Sequence, residues 1–318
     1  MTNFIFPRSI PLASALALAV LIAVGFLLPD WAMFLATMAF AKGMVALGVI
    51  CLMRAGLVSF GQGLYYCIGA YVSGLMASWI GTSDIFLLSI LGVLASGFVA
   101  AIFGPLLATY RGIFFAMLTL SLSMILYGAL SKMSVLGGTD GLNVTAPTFL
   151  GYHPEGRALV LSLYMFTCAV IVVFGGLVRV FFDSERGLIS LAIRDNELRV
   201  EFLGASVRTE IAVTYIVAAV AGGIGGVISG AAIGHVDPEY AYWTTSGEFV
   251  FVAILAGYFS IPAVFLGSIL LEIVRSFSNL YFPNTWQMSL GIFLLIVILV
   301  FPKGLGSLLS RTKKEGQS

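Results

Sequence analysis

Long apolar runs separated by short polar stops set the pattern of this chain, and the runs are close to the length that crosses a bilayer. A helix needs about 20 apolar residues to cover a hydrocarbon core ~30 Å thick. Residues 10–28, 31–53, 85–110, 113–132, 158–182, 211–234 and 286–301 each predict one crossing helix. The run 56–80 is apolar enough to cross as well, but Gly56, Gly61, Gly63, Gly69 and Gly74 punctuate it. Residues 249–282 cannot cross once without stranding the basic C-terminal tail outside, and the stretch GYFSIP at 257–262 breaks them into two short helices or a re-entrant hairpin. The pattern predicts an all-α polytopic integral membrane protein, residues 1–318 forming a single transmembrane domain. About ten transmembrane helices are expected, with eight plus a re-entrant hairpin as the alternative.

The first run follows a lone basic residue, Arg8. It is long, lacks a small-x-small cleavage site and leads through Pro29 and Asp30 into a second span, so it is expected to be retained rather than removed as a signal peptide.

One long segment breaks the apolar rhythm. Residues 183–210 carry Arg186, Arg194, Arg199 and Arg208 against Asp183, Glu185, Asp195, Glu197, Glu201 and Glu210. Ile189, Ile193, Val200 and Leu203 recur at helical spacing, broken only by Asn196, and Gly204 suits a left-handed helix end. This predicts an amphipathic helix of three to four turns. Two readings fit it: a helix laid into a groove on a soluble partner, or one lying on lipid headgroups.

The composition agrees with the pattern, because 60% of the 318 residues are hydrophobic and only 10% charged, far from the balance of soluble domains. With a net charge of +1, nucleic acid is excluded as a partner. Cys51, Cys67 and Cys168 lie in apolar runs and are expected to behave as small hydrophobes, with no disulfide framework and no metal site. His153 and His235 fall in loops as ordinary surface residues. The glycine-rich polar segment 134–157 is too short for its own core and reads as an ordered external loop. Residues 235–248, with Asp237, Glu239 and Glu248, read as a second loop. Arg8, Arg54, Arg111, Arg179, the arginines of 183–210 and the tail residues Lys303, Arg311, Lys313 and Lys314 all fall on one side. By the positive-inside rule that side is the cytoplasm, with both termini and the 302–318 tail inside.

Candidate chemistry is sparse. Lys42 is an intramembrane charge, a functional hypothesis by default. Glu272 and Arg275 are three apart and able to pair. Ser59 and Gln62 share one helical face if the 56–80 run is helical, facing a polar path or simply packing. Glycines there either admit a neighbouring backbone or mark a broken helix lining a cavity. No GxxxxGK phosphate loop followed by Ser or Thr occurs, so ATP hydrolysis is not expected in this chain. A secondary transporter would show uncompensated intramembrane carboxylates, and Arg275 stands ready to neutralise Glu272. A membrane enzyme would need a nucleophile and base, or metal ligands, at membrane depth.

Several stretches together resemble one family, the permease subunits of bacterial ABC importers for branched-chain amino acids. AGLVSFGQGLYYCIGAY at 55–71 is similar to its glycine-rich signature; GGTDGL at 137–142, LAIRDNE at 191–197 with Gly204, and FPKGL at 301–305 are similar to its later landmarks, in order. The fit is closest to the longer of the two paired permeases. The resemblance implies a bacterial inner-membrane protein that pairs with a homologous permease, two cytoplasmic ATPase subunits that bind the ATP, and an external or periplasmic solute-binding protein. It implies an ATPase-coupling segment with Gly187, Ala192, Arg194, Asp195, Asn196, Glu197, Glu201 and Gly204. It also implies a translocation path near Gly56, Ser59, Gly61, Gln62, Gly63, Gly69 and Tyr71, and an external loop landmark at Gly138, Asp140 and Gly141. Gln62 stands where the family usually has histidine, and AGYFSIPAVF at 256–265 replaces a glycine-rich turn.

Overall fold

The computed structural model describes residues 9–257, 260–281, 283 and 285–300, with side chains from residue 14 onward except at 298. Arg8, the FPKGL motif and the 302–318 tail lie outside the described residues.

The chain folds as α1 (Ser9–Leu27), α2 (Asp30–Arg54), α3 (Gln62–Leu75), α4 (Ile85–Leu107), α5 (Gly112–Lys132), β1 (Leu142–Asn143), α6 (Arg157–Asp183), α7 (Glu185–Asp195), α8 (Glu197–Phe202), α9 (Val207–Ile233), β2 (His235–Val236), α10 (Trp243–Ala256), α11 (Ile261–Tyr281) and α12 (Trp286–Val300). Among the described residues six helices, α2, α4, α5, α6, α9 and α11, are long and apolar enough to cross a membrane by length and composition, and apolar stretches of α1, α10 and α12 are shorter.

The bundle is built around α9. Its stretch AGGIGGVISGAA at 221–232 is almost entirely buried, packed between α2, α3 and α4. In lipid, helices associate through close backbone packing rather than hydrophobic exclusion, so small residues set how near they come. A Cβ on Gly226 would collide with the Tyr66 carbonyl of α3, and one on Gly69 with the Gly223 carbonyl of α9. On the α4 side Ser96 Oγ donates to Gly92 O at 2.6 Å beside Gly223. Larger apolar side chains fill the space around this stitched centre, in clusters such as Val45, Phe249 and Leu271, or Leu57, Phe115 and Tyr215.

Two ends can be told apart by contacts. At one, β1 pairs antiparallel with β2 in the register Leu142↔Val236, and Arg157 at the start of α6 lies 3.6 Å from Asp30 at the start of α2. Asp84 caps α4, accepting from Phe86 N and Leu87 N, while its other oxygen accepts from Leu150 N at 2.6 Å. Loop 134–157 is tied at this end by the β1–β2 pairing and by Asp84. At the opposite end α7 packs against α2, α6 and α9, α8 against α9, and Arg111 at the start of α5 reaches Glu197 of α8.

Several expectations are corrected. The 183–210 segment is two helices, because Asn196 leaves helical geometry and caps α8, its Oδ1 accepting from Arg199 N at 3.0 Å. Gly204 has the left-handed φ of +89° expected of it, yet α9 starts at Val207, before the first residue of its apolar run. Glu248 belongs to α10 rather than to a loop. Of the two readings of the 56–80 run the broken one holds: 55–61 is non-helical, and α3 continues directly into a π-helical turn, Met76–Ile80. The break expected in 257–262 is found, α10 ending at Ala256 with Gly257 beyond it at φ +73° and α11 opening at Ile261, but α11, at 21 residues, is long enough to cross and is not the short helix expected.

Candidate functional site

α2 ends at Arg54, and Gly56, at φ +77°, turns the chain back into the bundle beside Arg194 of α7. A side chain at that φ would be strained. Residues 57–61 then run inward without helical hydrogen bonding and are tied by their neighbours instead. Phe60 N donates to Thr119 Oγ1 at 3.2 Å, and Gly61 N to Ser59 Oγ at 3.2 Å. At Gly63 the first turn of α3 meets α10, its N–H donating to Ser246 Oγ at 3.0 Å. The N-terminal turns of two short helices thus lie side by side in the interior, their partial positive ends concentrated there.

Ser59 precedes the helix, so it does not share a helical face with Gln62 as expected. Gln62 opens α3, is 0% exposed, and neither Oε1 nor Nε2 has a hydrogen-bond partner among the described residues. It faces α9, near Gly222. Gly56, Ser59, Gly61, Gln62 and Gly63 come together at the break; Gly69 is part of the α9 packing, and Tyr71 is buried with Cys67, Leu130, Val144 and Val236 toward the hairpin end.

A cavity of about 760 Å³ opens beside this break. Met117 and Leu120 of α5, Trp243 and Phe251 of α10, and Trp286 and Leu290 of α12 form its apolar walls, with Phe60 from the non-helical stretch. One carboxylate, Glu248, stands on the wall. Behind it lies a charge cluster drawn from three helices. Lys42 Nζ is 2.8 Å from Glu272 Oε2 and 3.5 Å from Glu248 Oε2, and Arg275 Nη1 donates to Glu248 at 3.2 Å. Arg275 also lies over the Trp286 ring, 5.4 Å from its centre. The expected pairing of Glu272 with Arg275 gives way to these longer-range partners, because Glu272 faces α2 and Arg275 faces α10. Two cations and two anions balance, which is what burial at this depth requires. The sequence signalled Lys42 and Glu272 as unusual but did not reveal that they pair, nor that Glu248 joins Lys42 to Arg275.

At the opposite end, Ile193 and Val200 are buried and Ile189 half-buried against the protein's own α4, α5 and α9. The apolar stripe therefore covers the bundle rather than facing outward. Leu203, expected in the stripe, is 82% exposed, and with Phe202, at 90%, and Leu198 it forms an outward apolar tip on α8. Ala192, Arg194, Asp195, Asn196, Glu201 and Gly204 are exposed nearby. Gly187 is buried instead: its N–H faces the Ser184 cap, and a Cβ there would collide with the carbonyls ending α6. Glu197 is tied to Arg111 at 2.6 Å, a partner the sequence did not suggest.

On the hairpin end Gly138 and Asp140 form a turn before β1, and Gly141, at φ +71°, sits where a Cβ would collide with the Val236 carbonyl. His235 in β2 lies 3.1 Å from Asn143 Oδ1 across the pair, and His153 is exposed in the loop. Cys51, Cys67 and Cys168 are buried free thiols.

An apolar bundle with two helix N-termini meeting in its interior, a balanced buried charge cluster and an apolar cavity beside them describes a multi-pass membrane permease. The chain belongs to the family of branched-chain amino acid transport system permease components, whose profile matches residues 31–300. It is similar to the high-affinity branched-chain amino acid transport system permease protein LivM of Escherichia coli, 26% identical over 275 residues, covering 79% of this chain and 64% of that protein. The chain thus spans just under two thirds of that relative. It is similar also to BraD of Pseudomonas aeruginosa, at 24% over 79% of this chain and 86% of BraD, and to LivH of Escherichia coli, at 24% over 79% and 85%. No solved structure matches it.

Proposed function

We propose that this chain is one of two permease subunits of an ATP-driven importer in a bacterial inner membrane, forming the path for branched-chain or related amino acids that an external binding protein delivers. The supporting observation is the exposed apolar tip Leu198, Phe202 and Leu203, flanked by the charges of Arg194, Asp195 and Glu201, on a permease-family chain. A face of that kind fits a groove on a soluble partner, here an ATPase that binds ATP on this chain's behalf. Motion there would reach the path through Gly56, which abuts Arg194 and leads into the non-helical stretch. On this reading the chain makes ten crossings with both termini inside: α1, α2, 55–80, α4, α5, α6, α9, 235–256, α11 and α12.

Purification of the detergent-solubilised chain from its native membrane tests this directly. Wild type should bring down two ATPase subunits and a second permease, whereas Phe202→Glu with Leu203→Glu should lose the ATPase and keep the permease. A chain that purifies alone and transports by itself after reconstitution overturns the reading. A second reading, the same machine carrying urea, amides or aromatic acids, draws on the aromatic walls Trp243, Phe251 and Trp286. Ion coupling has less support, since both buried carboxylates, Glu248 and Glu272, are already neutralised.

A further inference from the structure

The charge cluster and the cavity meet at one residue, Glu248, and their chemistry is complementary. The cavity walls are apolar and aromatic, and its volume of about 760 Å³ lies within the ~300–1,000 Å³ usual for small-molecule sites. Lys42, Glu272 and Glu248 are almost fully buried, with side chains 5%, 13% and 11% exposed, and of the cluster Glu248 alone lines the cavity; Arg275, at 34%, stands behind that wall, paired with Glu248 and lying over the wall residue Trp286. A carboxylate on the wall and, 3.2 Å behind it, a guanidinium next to the wall residue Trp286 thus mark the polar end of an apolar cavity.

Such an end discriminates by net charge. The four-member cluster is neutral, so a singly charged solute entering would leave an uncompensated charge against apolar walls, which is costly. A zwitterion brings one charge of each sign and leaves the balance intact.

We propose that this cavity binds the travelling solute as a zwitterion, its α-ammonium on the Glu248 carboxylate, its α-carboxylate on the Arg275 guanidinium, and its apolar side chain against Trp243, Phe251 and Trp286. Lys42 and Glu272 hold the pair in place from behind. The assignment rests on the importer reading for its solute being an amino acid, and adds where and by which groups that solute is held.

Two wall glycines give a test that leaves the charges untouched. Gly247 and Gly291 line the cavity, and a Cβ at either meets nothing within 4 Å, so larger residues there extend into open space. In the complete transporter reconstituted with its ATPases, partner permease and binding protein, Gly247→Leu and Gly291→Phe should assemble as wild type does and reduce leucine uptake about tenfold or more. Leucine uptake unchanged in both variants removes the cavity from the path while the importer reading stands. A wild-type complex that takes up no amino acid defeats the importer reading and this site with it.

The charge assignment is read without the binding protein, by saturation-transfer NMR on the solubilised permease–ATPase complex. Wild type should bind leucine more tightly than leucinamide, which lacks the carboxylate. Arg275→Gln should weaken leucine about tenfold, the loss of one charge-assisted hydrogen bond, while leucinamide, a cation meeting a cluster now one charge negative, should bind at least as well as before. Equal weakening of both, no weakening of either, or no saturation transfer to leucine in wild type overturns the assignment.

Discussion

Arg111 and Glu197, 86 residues apart, are joined by an ion pair of 2.6 Å that fixes the start of α5 to the first turn of α8. The same guanidinium donates through Nη1 to Ala108 O and Tyr110 O at the end of α4. One side chain thus gathers three helix ends beside the segment read as the ATPase contact.

Because both partners are about a third exposed, the pair adds little to stability, ~1 kcal/mol or less. Its geometric role is separable from that. Glu197→Arg should lower ATP-driven uptake several-fold with the thermal midpoint almost unmoved, and the exchange Arg111→Glu with Glu197→Arg should recover part of the loss. Uptake that stays at the wild-type level in the single variant means α8 does not act through Arg111.

The buried cluster behaves differently. Lys42→Met strands Glu272 at depth and should destabilise the protein by about 3–5 kcal/mol, whereas Lys42→Met with Glu272→Gln removes both charges and should recover most of it. Thermal unfolding in detergent distinguishes the two. Equal losses in both variants mean that packing of the lysine stem, and not charge balance, is what α2 contributes.

At the centre, Gly226→Val should be far more damaging than a valine at Gly128 of α5. The first would drive a side chain into the Tyr66 carbonyl, while a Cβ at Gly128 meets nothing within 4 Å. Overpacking typically costs about 1–3 kcal/mol and more where the obstacle is backbone. Yield of monodisperse protein on gel filtration is the readout, and similar yields for both variants mean that α9 can slide away from α3.

Asp84→Ala removes the cap of α4 and its bond to Leu150 N together. A lost cap costs ~0.5–2 kcal/mol. The structural consequence is sharper: protease cleavage in loop 134–157 should rise while cleavage in 183–210 stays constant. Unchanged protection of the loop means that the β1–β2 pairing holds it without Asp84.

Much of this architecture was legible because lipid imposes a simple rule, that a crossing helix must be long and apolar, so α2, α4, α5, α6 and the break at Gly257 stand out in the sequence. What was hidden shares a physical cause. Residues 55–61 are as apolar as a helix although they are not one, since their backbone is satisfied by Thr119 and by Ser59 rather than by helical bonding; hydropathy cannot distinguish a buried coil from a buried helix. Glu248 looked like the end of a loop because its compensating charges, Lys42 and Arg275, lie on distant helices. The stripe Ile189, Ile193 and Val200 has the spacing of a docking face, but periodicity does not say what is docked, and here it is the protein's own bundle. Asn196 was legible as an interruption, not as the cap that starts a second helix.

The burial of α9 on every side also orders the protein's own biosynthesis. α2, α3 and α4 are complete by residue 107, yet the helix they enclose is not finished until residue 233 has been made. Chains emerge N-terminal end first, so the early helices wait in the bilayer around a vacant glycine-lined slot. A ribosome halted anywhere before residue 207 leaves that slot empty, and the nascent helices, inserted but unpacked, are the form in which membrane quality control first meets this protein.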